Sequence, residues 1–219
     1  MKQKKRLIFM GTPKIAEPYL KKLMDQKYDI IAVYTQPPRK KGRGMQVQNS
    51  AIHNLALKNK LTVSHPENFQ SLDEINKFKK LKPDIVIVMG YGILLPKKII
   101  TIPKYGCFNI HLSLLPKWRG AAPIEHSIIN GETKTGVTIF QIEEKLDSGP
   151  IIASREIEIS NNTTKEKLTK DLNIIGIDLL IKALLNLFKN KISKINQDNS
   201  KATYATKISS NQRKIDFNK

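Results

Sequence analysis

Asn109 and His111 stand two residues apart in the run Cys107-Phe108-Asn109-Ile110-His111-Leu112, which reads as a short β-strand. Strand side chains two apart project from the same face. An amide and an imidazole aimed together supply two hydrogen-bond donors, or one donor and one proton carrier. That pairing suits a tetrahedral oxyanion whose leaving group needs a proton. A plainer reading also fits: a core histidine with its hydrogen bonds satisfied, and an asparagine capping the strand end. The third candidate is Asp147 in Leu146-Asp147-Ser148-Gly149, a tight-turn sequence where Asp often serves only to bond its own backbone.

Other chemistries lose support. Gly42-Arg43-Gly44 and Gly90-Tyr91-Gly92 both lack the third glycine of a dinucleotide fingerprint, because Val47 and Leu95 occupy those places. No Walker A sequence occurs, and Ser113 lies in Leu112-Ser113-Leu114 rather than in a nucleophile elbow. The four histidines, His53, His65, His111 and His126, have no zinc-like spacing, and no metal site is expected. The single Cys107 excludes an internal disulfide and any cysteine-rich metal site.

The elements that must position these groups read as one α/β domain, which 219 residues with 40% hydrophobic and 26% charged content can build. Residues 6–10 form a buried strand ending at Gly11-Thr12-Pro13, residues 15–24 a helix, and residues 29–35 a second strand. This β-turn-α-β opening begins a doubly wound, Rossmann-like, mostly parallel sheet, which places ligands beyond the carboxyl ends of its strands. Helices are expected over 50–58, around 72–78 and over 122–129. Residues 61–64 form a short strand, and residues 84–89 the clearest central one. Residues 135–142 and 151–159 then resemble antiparallel strands, giving the sheet an antiparallel C-terminal edge. Thr163 and Glu166 form a capping box opening a long helix to about Phe188, with Leu168, Leu172, Ile175, Leu179 and Leu184 inward. Residues 1–190 are expected to be the domain and 191–219 an extension or linker, tail-like from Asp198 onward.

Charge is the extreme quantity. Thirty-eight Lys and Arg against nineteen Asp and Glu give +19, which suits a polyanionic partner. The chain is also rich in Lys, Asn and Ile, so part of that charge is expected to reflect codon bias. Placement is more telling. Arg39, Lys40, Lys41 and Arg43 crowd a loop over residues 36–46 whose prolines and glycines exclude helix and sheet interior. Three of the six arginines, Arg39, Arg43 and Arg119, fall in the candidate functional segments. No apolar run approaches the ~20 residues of a membrane-spanning helix, and the N-terminus lacks a signal-peptide pattern. A cytoplasmic monomer without membrane contact is expected.

Several blocks together carry a family resemblance: Phe9-Met10-Gly11-Thr12-Pro13, Thr35-Gln36-Pro37 before Gly42-Arg43-Gly44, Gly90-Tyr91-Gly92 with Leu95-Pro96, the stretch from Asn109 to Ile124 containing Ser113-Leu114-Leu115-Pro116-Lys117-Trp118-Arg119-Gly120, Gly136-Val137-Thr138, and Leu146-Asp147-Ser148-Gly149. In order and spacing they resemble the methionyl-tRNA formyltransferase family, of the glycinamide-type formyltransferase fold. The resemblance implies formyl transfer from 10-formyltetrahydrofolate to the α-amine of methionine on initiator tRNA. It assigns catalysis to Asn109, His111 and Asp147. It places the folate at Ser113, Leu114, Leu115 and Pro116, with the pterin near Met89, Gly90, Tyr91, Ile93, Leu95 and Glu143. It gives the tRNA acceptor stem to Arg39, Lys40, Lys41 and Arg43, although Pro38 and Lys40-Lys41 depart from the family's wording there.

The family also carries a C-terminal barrel-like domain, and residues 215–219 stand where its linker would begin. Two rival readings are a formyltransferase for a nucleotide-linked amino sugar and an inactive RNA- or folate-binding remnant. The basic loop argues against the first and the filled catalytic positions against the second.

Overall fold

The computed structural model describes residues 4–42 and 44–209. Its organising element is a seven-stranded sheet of order β10-β9-β7-β6-β1-β2-β5. Here β1 is Arg6–Gly11, β2 Asp29–Tyr34, β5 Val63–Ser64, β6 Ile85–Met89, β7 Cys107–His111, β9 Lys134–Gln141 and β10 Ile151–Glu158. The pairs from β5 through β7 are parallel, and β7–β9 and β9–β10 are antiparallel. The expected doubly wound sheet with an antiparallel edge is therefore present. Its reason is legible in β6, Ile-Val-Ile-Val-Met, which is buried at every residue as a central parallel strand must be.

Alternation along β1 divides the core. Leu7 and Phe9 pack with α1 (Glu17–Asp25), α2 (Ala51–Lys58) and α6 (Lys165–Phe188), while Ile8 and Met10 face the opposite layer with Phe78 of α3 (Leu72–Lys80) and Ile99 of α4 (Lys97–Ile100). Helices thus cover both faces. Because β1, β2, β6 and β7 run in one direction, their carboxyl ends, Thr12, Gln36, Gly90 and Leu112, open on one edge. The Thr12 hydroxyl and Gln36 Nε2 both donate to the Tyr91 carbonyl, at 2.8 and 3.0 Å, which ties three strand ends together.

Several local expectations shift. The basic segment is a two-stranded hairpin, β3 (Arg39–Lys41) with β4 (Gln46–Gln48), standing apart from the main sheet. The cap of α6 is Thr164, whose side chain accepts from Lys167 N. Thr163 instead bonds Ser160, so the capping box with Glu166 does not form. The inward seam of α6 runs through Gly176 and Leu180, leaving Ile175 and Leu179 half-buried. A side chain at Gly176 would collide with the Tyr19 hydroxyl of α1, so only glycine permits this helix approach.

The segment from 191 to 209 does not trail away. Ile195 and Ile151 exchange both backbone hydrogen bonds, at 2.8 and 2.9 Å. Tyr204–Ala205 forms β11, parallel to β8 (Arg119–Gly120). Its polar, aperiodic composition hid this, because a strap of isolated bridges needs no apolar period. Residues 210–219 lie outside the described residues. Among the described residues no helix is long and apolar enough to cross a membrane.

Candidate active site

Asn109 and His111 occupy the last turn of β7 on the face shared with Val88 of β6 and with Thr138 and Phe140 of β9. His111 is buried at 4% exposure, its ring edge-on to Phe140. Its Nε2 lies 2.7 Å from the carbonyl oxygen of Trp118. A carbonyl only accepts, so Nε2 carries a hydrogen and Nδ1 is the nitrogen left for proton traffic. Nδ1 points at Asp147 Oδ2, 3.8 Å away. That is too long for a direct hydrogen bond, and it sets the carboxylate facing the ring nitrogen. Asn109 is half-buried, and its Oδ1 is buried without a hydrogen-bond partner. A desolvated amide oxygen left idle by the protein is uncommon.

Asp147 arrives from a different stretch, between β9 and β10, yet it faces His111. Its φ of 46° is the left-handed region, which a non-glycine residue adopts at a cost of about 1 kcal/mol or more. Surrounding bonds hold it there. Oδ2 accepts from Gly120 N at 2.8 Å, and the Asp147 and Gly149 carbonyls accept from Gln197 Nε2 at 2.9 and 2.8 Å. The aspartate thus bonds a backbone amide as turn aspartates do, but that amide belongs to the loop after β7 rather than to its own turn.

That loop, 113–122, is held from both sides. Thr138 Oγ1 donates to Ser113 O at 2.7 Å and accepts from Leu115 N at 3.1 Å, while Ser113 Oγ donates to Lys117 O at 2.6 Å. The Leu115–Pro116 peptide is cis. Trp118 N donates to Thr203 Oγ1, and Arg119 N and Ala121 N donate to the carbonyls of Thr203 and Ala205. Gly120, at φ 118°, is required here, since a Cβ would sit 2.7 Å from the Ala205 carbonyl oxygen. Arg119 is 4% exposed and donates to Gln197 and Asn199.

The expected folate residues are placed unevenly. Ser113 and Leu115 are buried, whereas Leu114 and Pro116 are half-buried. Met89, Tyr91 and Leu95 have their side chains sealed in the core, so only their backbone can meet a ligand. Burial raises the Tyr91 phenol above its ordinary pKa, and its hydroxyl has no partner. Gly90 and Glu143 are exposed and Ile93 is half-buried. Leu94, at 71% exposure, is the free apolar side chain of this loop. Arg39 and Lys40 are exposed on the hairpin. Arg43 and the side chain of Lys41 lie outside the described residues.

Two grooves lie elsewhere. One of about 550 Å³ is lined by residues including Lys134, Glu158, Lys167 and Asp171, and one of about 380 Å³ backs onto Leu114 and Trp118. Neither is lined by Asn109, His111 or Asp147, which stand at the sheet edge. Sequence reasoning missed Thr138, Gln197 and Asn199. Thr138 lies in the Gly136-Val137-Thr138 block, which was visible. Gln197 and Asn199 carried no local signal.

A mostly parallel sheet with this strand order and an antiparallel edge is the architecture of a formyltransferase domain, and the comparisons agree. The formyl transferase family profile matches residues 4–184. Methionyl-tRNA formyltransferase of Bartonella henselae (strain Houston 1) is 45% identical over 215 residues, which cover 98% of this chain and 69% of that protein. The enzyme of the same name from Bartonella bacilliformis is 43% identical, over 98% and 70%. Among solved structures, an N-formyltransferase from Helicobacter canadensis in complex with folinic acid and dTDP-3-aminofucose superposes with a TM-score of 0.70 at 26% identity, over 99% of this chain and 76% of that one. The chain belongs to the methionyl-tRNA formyltransferase family.

Proposed function

We infer that this chain formylates the α-amine of methionine carried by initiator tRNA, with 10-formyltetrahydrofolate as donor. The supporting observation is the convergence of Asn109, His111 and Asp147 from two separate stretches onto one sheet edge. The exposed backbone at Gly90 fits a folate-sized co-substrate laid along that edge.

Bound folate supplies an activated formyl carbonyl. The Asn109 amide N–H stabilises negative charge on the formyl oxygen as the amine adds. His111 stabilises the same charge and delivers a proton from Nδ1 to the departing nitrogen, while the Trp118 carbonyl keeps Nε2–H fixed and the ring aligned. Asp147 holds the ring and its positive charge, and accepts the amine's proton through water. Ser113, Leu114, Leu115 and Pro116 form one wall of the folate site. The backbone of Met89, Gly90, Tyr91 and Leu95, with Ile93 and Glu143, forms the pterin end.

The hairpin carries the tRNA. Arg39 and Lys40 follow β2, three strand spacings from β7, roughly 14 Å along the same edge, and Lys41 and Arg43 come next in the chain. Cations at that distance can track acceptor-stem phosphates while the aminoacyl end reaches His111. The test is single-turnover formyl transfer with 10-formyltetrahydrofolate. Methionyl initiator tRNA should be formylated, and free methionine and nucleotide-linked amino sugars should not. Transfer to the sugar with none to tRNA would overturn the reading.

A further inference from the structure

Gln197 lies beyond the residues matched by the family profile, which end at 184, yet it touches the catalytic turn twice. Its amide cannot be turned round. Oε1 faces Arg119 Nε and Nη2 at 3.2 and 2.7 Å, both donors, and Nε2 faces the Asp147 and Gly149 carbonyls at 2.9 and 2.8 Å, both acceptors. The bonds close a ring. The Arg119 side chain holds Gln197, Gln197 holds the backbone of Asp147, and the Asp147 carboxylate returns to the amide of Gly120, next to Arg119.

Three further facts give the ring a purpose. Asp147 is in the left-handed region, so its turn relaxes unless held. Arg119 is a buried guanidinium whose bonds here go to amide oxygens, of Gln197 and Asn199 at 2.7–3.2 Å, rather than to a carboxylate. A carboxylate at position 197 would be the stronger partner for a guanidinium, but it could not donate to the two carbonyls. The strap is fastened on both sides of Gln197, by the Ile195–Ile151 bridge and by β11 on β8.

We propose that Gln197 is a positioning residue for formyl transfer, its donated pair of hydrogen bonds fixing the Asp147 turn so that the carboxylate stays facing His111 Nδ1. The strap from 195 to 205 is then part of the catalytic apparatus. This rests on the assignment of Asn109, His111 and Asp147 made above.

Two variants of the full chain separate positioning from bracing. Gln197→Glu keeps the acceptor for Arg119 and loses both donated bonds. Gln197→Met keeps the length and loses all. For each, steady-state formylation gives kcat and the KM of both substrates, and thermal unfolding with Trp118 fluorescence reports folding. The expected result is a fall in kcat of about tenfold or more in both, with each KM within about twofold of wild type. Gln197 as a mere anchor for Arg119 predicts wild-type kcat in Gln197→Glu, which overturns the proposal, as does a rise in KM at unchanged kcat. Should Gln197→Glu fail to fold, Gln197→Met still tests the proposal, since wild-type kcat without either pair of bonds overturns it. Asp147→Asn is measured beside them. If it keeps wild-type turnover, the catalytic assignment is wrong. If it fails while both Gln197 variants match wild type, only the role of Gln197 is wrong.

Discussion

The basic hairpin at 39–48 and the loop at 113–122 both leave the same edge of the sheet, and they are built in opposite ways. The hairpin is paired with itself alone, its described residues are exposed, and Met45 and Val47 stand in solvent at 61% and 65% exposure. The loop after β7 is bonded to β9 through Thr138, to the strap through Thr203 and Ala205, and to Asp147 through Gly120. The difference fits the two tasks proposed for them. Phosphate attraction acts over a Debye length of about 10 Å and tolerates movement. Proton transfer needs heavy atoms within about 3 Å and tolerates almost none.

That contrast breaks first at Asp147. Asp147→Asn retains the acceptor for Gly120 N and the turn, so folding should be nearly intact while kcat falls by about 10² to 10⁴. Single-turnover formylation beside a thermal unfolding curve checks both halves. Retained turnover would show that the carboxylate serves the turn only.

The hairpin should respond in the opposite parameter. Removing Arg39 and Lys40 together should raise the KM for tRNA severalfold with kcat unchanged, because their side chains are exposed and remote from Nδ1. The slope of log KM against log salt should flatten by about one unit per lost phosphate contact. A fall in kcat at saturating tRNA would mean the hairpin also aligns the reacting end.

The smallest effect sharpens the view of β7 itself, whose far end is Cys107. Burial pushes this thiol up to about 12 from 9.0. The folded state therefore holds the proton more tightly than the unfolded chain. That stability is complete below pH 9 and is lost as pH rises from 9 toward 12. Urea unfolding at pH 8 and pH 10 should show wild type losing about 1 kcal/mol more than Cys107→Ala between the two values. Equal losses would mean the thiol is not shielded, and the strand that carries His111 is looser than its burial implies.

Much of this was legible in the chain. Short apolar runs marked β1, β2 and β6, because a parallel strand buried on both faces must be apolar throughout, and β7 stood out by its alternation of apolar residues with Asn109 and His111. The change to period two marked β9 and β10. The two-residue spacing of Asn109 and His111 fixed their common face. What stayed hidden lacks a period. The pair β8–β11 is two residues long on each side. The helix seam passed through Gly176, which no hydrophobic count would select. The burial of the Met89, Tyr91 and Leu95 side chains, in the stretch expected near the pterin, was not legible either, because it depends on the core packed around this strand end.

The longer strands of the main sheet, the types of the candidate site residues and the excess of positive charge were therefore determined by the sequence alone, since each depends on local spacing or on a sum. Which nitrogen of His111 is free, where the Asp147 carboxylate points, and that residues 195–205 close over it were decided only by the tertiary structure. These depend on bonds between segments 7 to 85 residues apart. A hydrogen bond at such separation leaves no pattern in the neighbouring residues.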